Sequence, residues 1–84
     1  MKFFDIQNTR EFYENILRCS GEIRQIEADG SERDLKAMAG WLIGSGMADR
    51  LKGIREIDLR IEQPSDADRL LRYALSMGRE RICA

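Results

Sequence analysis

From Arg55 to Glu62 the chain alternates without interruption, with Ile57, Leu59 and Ile61 on one side and Glu56, Asp58, Arg60 and Glu62 on the other. Successive side chains of a strand point to opposite faces, so this stretch is a strand with one dry face and one wet face. Parallel sheets are covered on both faces and read as continuous apolar runs. The alternation therefore calls for an antiparallel sheet whose covering layer lies on one side only. Pro64 closes the strand.

The rest of the chain supplies the layer and the partner strands. Met1 to Gln7 has the aromatic and β-branched residues of a first strand. Asn8 is a helix cap with Glu11 three positions on, and Phe12, Ile16 and Cys19 fall on one helical stripe that Tyr13 and Leu17 widen. Gly21 ends this helix, read as Thr9 to Ser20. Glu22 to Glu27 and Ser31 to Leu35 flank Asp29-Gly30, a strong hairpin turn, and form an antiparallel pair. Ile23 and Ile26 have opposite parity, which predicts a bulge near Arg24-Gln25 or an early strand end. A second helix runs from Lys36 to Ile43, with Met38, Trp41 and Leu42 on one face. Gly44-Ser45-Gly46 then loosens the chain, and one further turn follows near Met47 to Leu51. A last helix is capped by Ser65 and carries Asp66 and Asp68 in its first turn, with Leu70, Leu71, Ala74, Leu75 and Met77 as its apolar face. Residues 79–84 read as a flexible tail. The order β-α-β-β-α-β-α with one wet sheet face defines an α+β, two-layer open-faced sandwich with the helices on one face.

Composition sets the outer limits. The 84 residues make one small domain, 1–84, with 14 Lys and Arg against 15 Asp and Glu. A net charge of −1 lacks the basic excess on which phosphate-backbone binding depends, so no nucleic-acid partner is expected. No run approaches a membrane span and no secretory segment opens the chain. Cys19 and Cys83 have no metal or redox spacing, which suits a reduced, cytoplasmic protein without metal or cofactor. There is no histidine at all, and with it go His general bases, His-paired nucleophiles and phosphohistidine. No catalytic residues emerge, and the expectation is a protein that is not an enzyme.

Three segments carry a resemblance: the Asp29-Gly30 hairpin, Asp34-Leu35-Lys36-Ala37-Met38-Ala39-Gly40 entering the second helix, and Glu56 to Glu62 followed by an acidic helix start. From Glu22 to Leu75 the chain resembles HPr, the histidine-containing phosphocarrier of the sugar phosphotransferase system. The resemblance implies a four-stranded antiparallel sheet in the order 1-4-2-3. It also implies docking of protein partners through the start of the first helix and the second helix. In HPr a histidine at the start of the first helix takes the phosphoryl group, after a longer loop than the one here. This chain passes from Ile6-Gln7 straight into Asn8-Thr9. In regulatory members a serine at the start of the second helix is phosphorylated, and the matching position is Ala37, without a hydroxyl. Several extra residues also separate Gly40 from the fourth strand, placing 44–52 outside the family pattern.

The functional expectation is a non-catalytic, HPr-like regulatory or protein-interaction domain without phosphocarrier activity. Its partner-binding residues by resemblance are Asn8, Thr9, Phe12, Met38, Trp41, Leu42 and Met47, with Ala37 as the degenerate regulatory position. Against that reading, a small domain has few large side chains for its core, which favours Trp41 as core packing under the second helix. A homodimer built on the apolar surface is a further alternative. A small nucleotide-binding protein or enzyme is another, with Gly44-Ser45-Gly46 as a phosphate cradle or Asp58, Glu62, Asp66 and Asp68 as a carboxylate set. A plain hinge for the glycines, and helix-start charge with a solvated strand face for the carboxylates, are the stronger readings. Arg69, Arg72 and Tyr73 form a weak candidate for anionic contact, with a solvated helix face as the plainer reading.

Overall fold

The computed structural model describes residues 1–77 and 81–83, with side chains through residue 75. Its elements are β1 (Lys2–Ile6), α1 (Thr9–Arg18), β2 (Ile23–Ile26), β3 (Glu32–Asp34), α2 (Leu35–Gly44), a 3₁₀ turn (Met47–Asp49), β4 (Ile54–Ile61), α3 (Pro64–Met77) and β5 (Arg81–Cys83). The sheet is antiparallel in the order β3-β2-β4-β1-β5, and its first four strands have the expected 1-4-2-3 arrangement. The three helices lie on one face. The architecture is an α+β open-faced sandwich.

The strand that set the fold class occupies the centre. The first part of β4 pairs with β1, from Phe3 opposite Ile57 to Ile6 opposite Ile54, and its last residues pair with β2, from Ile23 opposite Ile61 to Gln25 opposite Leu59. Ile57 and Leu59 are buried while Glu56 and Arg60 face water, as the alternation requires. Phe3, Ile6, Phe12, Ile16, Ile23, Leu35, Leu59 and Leu70 are the fully buried large side chains. Phe12 joins the two layers, its ring standing edge-on to Phe3 at 6.2 Å and to Tyr13 at 5.4 Å.

Several local expectations need correction. No bulge interrupts β2: Arg24, Gln25 and Ile26 pair in continuous register with Asp34, Arg33 and Glu32. The parity conflict is settled by burying Ile23 and leaving Ile26 half-buried on the other face. Leu35 belongs to α2 and not to β3, because Asp34 caps that helix by accepting the Ala37 amide at 3.2 Å. Pro64 opens α3, a first-turn position where its missing N–H costs nothing. Ser65 is therefore inside the helix and is not its cap. On α3 the buried stripe is Asp66, Leu70, Tyr73 and Ala74, leaving Leu75 69% exposed.

The tail is the largest correction. Residues 81–83 form β5, with Lys2, Phe3 and Phe4 opposite Cys83, Ile82 and Arg81. Without β5, the outer side of β1 would be an unpaired row of backbone donors and acceptors. Residues 79, 80 and 84 of the expected tail lie outside the described residues.

Candidate functional site

The two ends of α1 organise the surface that the sequence singled out. Lys36, in the first turn of α2, donates to the carbonyls of Cys19 and Gly21 just past the end of α1. The 3₁₀ turn that follows α2 meets the start of α1 through Arg10 and Asp49. The two helices therefore run antiparallel, and the far end of α2 lies beside the start of α1.

Asn8 caps α1: its Oδ1 accepts the Glu11 amide at 3.0 Å and its Nδ2 donates to the Glu11 carboxylate at 3.4 Å. The expected box is thus present in altered form, with the side-chain amide of Asn8 standing in for its backbone donor. Arg10 reaches across to Asp49, its Nη1 lying 3.2 and 3.0 Å from the two carboxylate oxygens. That contact, with the neighbouring Glu14, raises the Arg10 guanidinium above its ordinary value. Thr9 is 2% exposed, and its Oγ1 has no hydrogen-bond partner. A concave surface here is lined by Gln7, Asn8, Thr9, Arg10, Ala48, Asp49 and Leu51.

On α2 the buried stripe is Leu35, Ala39 and Leu42, spaced i, i+4, i+7. Trp41 points the other way and is 63% exposed, which overturns its reading as core. Ala37, Gly40 and Gly44 are also exposed, so the indole rises from a helix face of small residues. Leu17 of α1, itself 39% exposed, borders this face at Gly40. Of the residues assigned by resemblance, Asn8 and Trp41 are exposed and Met38 and Met47 are half-buried. Thr9, Phe12 and Leu42 are buried beneath them and line the support of the surface, not the surface itself. Ala37 lies in the first turn of α2 with its own side chain exposed.

The carboxylates do not assemble into a set. Asp66 is 2% exposed and accepts the Ser20 amide at 2.9 Å, the Gly21 amide at 2.7 Å and the Ser20 hydroxyl at 3.3 Å. Burial works against its charge, but the amides, the hydroxyl and the Lys36 ammonium together hold its carboxyl below the usual carboxylate range. Asp58 instead faces the Met1 amino group at 3.5 Å. Among the described residues no three Cys, Asp or Glu side chains converge as a metal site would require. Cys19 is buried, and burial together with the Asp66 charge pushes its thiol up, away from the reactive thiolate. On the bare sheet face, a recess lined by Lys2, Glu27, Glu56 and Asp58 has its charges engaged, with Lys2 to Glu56 at 3.1 Å and Arg33 to Glu27 at 3.1 Å. Sequence reasoning missed the Asp66 anchor and the Asp34 cap; only the second had a local signal, an Asp three residues before the amide it caps. Among the described residues, no helix is long and apolar enough to cross a membrane.

The class defined by this fold is a two-layer α+β domain with an exposed aromatic on its second helix. No known protein family, curated protein or solved structure matches the chain.

Proposed function

We propose that the chain is a non-catalytic, HPr-like interaction or regulatory domain that binds a protein partner through the α2 face centred on Trp41 and the adjoining start of α1. The observation that carries this reading is the exposure of Trp41, 63%, on a helix face whose other members are small. A Trp costs a small domain its largest possible core side chain when turned outward, and Trp is enriched where binding energy concentrates. Small neighbours leave the indole accessible on several sides. The element order and the matched hairpin and helix entry support the HPr-like part of the reading. The absence of histidine, the capping role of Asn8 and the alanine at 37 support the absence of phosphocarrier chemistry.

The test is an amide-resolved NMR titration of the labelled protein with enzyme I and with the catabolite-repression regulator that HPr-like proteins bind. Shifts grouped at residues 8–12 and 38–47, lost in Trp41→Ala, are the expected result. Their absence with both proteins would remove the HPr-like docking assignment. Incubation with phosphoenolpyruvate and enzyme I is expected to leave no covalent phosphate; a stoichiometric phosphoprotein would overturn the non-carrier reading.

A further inference from the structure

Residues 46–53, most of them in the stretch outside the family pattern, adjoin the start of α1. This segment is bounded by two glycines that hold positive φ, Gly46 at 80° and Gly53 at 111°. Between them Ala48 is 2% exposed and Leu51 40% exposed. The hydrogen bonds within its single turn are Asp49 N–H to Gly46 C=O at 3.3 Å and Arg50 N–H to Met47 C=O at 3.0 Å. Its polar link to α1 is the Arg10–Asp49 pair at 3.0 Å, with both side chains about half exposed.

Beside it is Thr9, which lines one concave surface with Ala48, Asp49 and Leu51 and whose buried hydroxyl has no hydrogen-bond partner. A buried hydroxyl without a partner disfavours the conformation that buries it, and water would satisfy it once the cover lifts. The segment is thus held shut by the apolar Ala48, by Met47 packed against the core and by a solvent-exposed ion pair, and pushed open by Thr9. Glycines at both ends permit backbone conformations that other residues rarely adopt.

We propose that residues 46–53 form a glycine-flanked latch over the start of α1, closed by Arg10 and Asp49 and poised to open by the buried Thr9 hydroxyl. Opening uncovers Thr9 and the under-surface of Ala48, next to Asn8 and Met47. The use of this motion to control partner binding rests on the docking reading above; the latch itself does not.

The test is NMR-resolved amide hydrogen exchange on the full chain, comparing two variants that should act in opposite directions. Asp49→Asn weakens the closing pair, and the Asp49-position and Arg50 amides are expected to exchange about two- to fivefold faster, the range of a surface ion pair. Thr9→Val keeps the side-chain shape and removes the unpaired hydroxyl, and the same amides are expected to slow by about fivefold or more. Amides of β4 should hold their rates relative to global unfolding in both. If the two variants shift the 49–50 amides in the same direction, leave them unmoved, or move β4 equally, the latch is wrong. If the opposed pattern holds while the titration with both partners fails, the latch stands and the docking reading falls.

Discussion

The two ends of α1 are fastened by opposite means. At its C-terminal end a buried carboxylate, Asp66, accepts two backbone amides and a hydroxyl, while Lys36 donates to the two carbonyls beside them. At its N-terminal end an exposed ion pair ties Arg10 to Asp49, glycines flank the attached segment, and the Thr9 hydroxyl is buried without a partner. The first junction satisfies its buried polar groups from three elements together, so it opens only when the domain does. The second is held by Ala48, by the half-buried Met47 and by surface charge. Charge used in a part-buried, many-bonded setting fixes a joint; charge used in water only biases one.

The comparison can be broken most directly at Asp66. Asp66→Ala leaves the part-buried Ser20 and Gly21 amides without their acceptor, and the expected loss is about 1–3 kcal/mol in urea unfolding. A loss as small as that of a surface residue would mean that the junction is not the fixed one. Gly53→Ala comes next. Its φ of 111° suits glycine, and an added Cβ would stand 2.7 Å from the Ile6 carbonyl oxygen, so about 1–3 kcal/mol should be lost. An unchanged stability would show that the segment shifts freely at that end.

The acid response sharpens the contrast. Asp66 has its carboxyl held below the usual range in the fold, so the unfolded chain binds its proton first as pH falls. Its contribution is complete above about pH 4, the ordinary carboxylate value, and is lost as pH drops through its lower folded value. Asp66→Asn should flatten that acid limb in pH-dependent thermal unfolding. The smallest stability effect belongs to Trp41→Ala, within about 0.5 kcal/mol for an exposed side chain away from buried contacts. A large destabilisation there would return Trp41 to a structural role.

Features governed by local pattern were legible in the sequence. The alternation of 56–62 gave the sheet its wet face, and Asp29-Gly30 gave the hairpin, where Gly30 takes φ 90° and Ser31 returns its amide and hydroxyl to the Asp29 carboxylate. The outward turn of Trp41 was not legible because a single boundary was misplaced. Giving Leu35 to the preceding strand hid the stripe Leu35–Ala39–Leu42, and the next best stripe ran through Met38 and Trp41. Asp66 read as helix-start charge since its partners lie 45 and 46 positions earlier in the chain. Leu75 and Tyr73 exchanged their expected places for the same reason, since which side of α3 faces α1 is set by the Asp66 anchor and not by apolar count. The fifth strand, three residues long, carried no periodicity to detect.

That fifth strand also bears on the order of events during synthesis. Lys2 is paired with Asp58 on one side and with Cys83 on the other, so β1 is made first and completed last. While the ribosome is still adding residues, β1 has no neighbour until β4 emerges, and its outer edge stays bare until residues 81–83 follow. The hairpin of β2 and β3 can close early from nearby residues, but the half of the sheet containing β1 must wait for distant ones. A nascent chain stalled after β4 would present β1 as an open edge, and would be the form most in need of a chaperone.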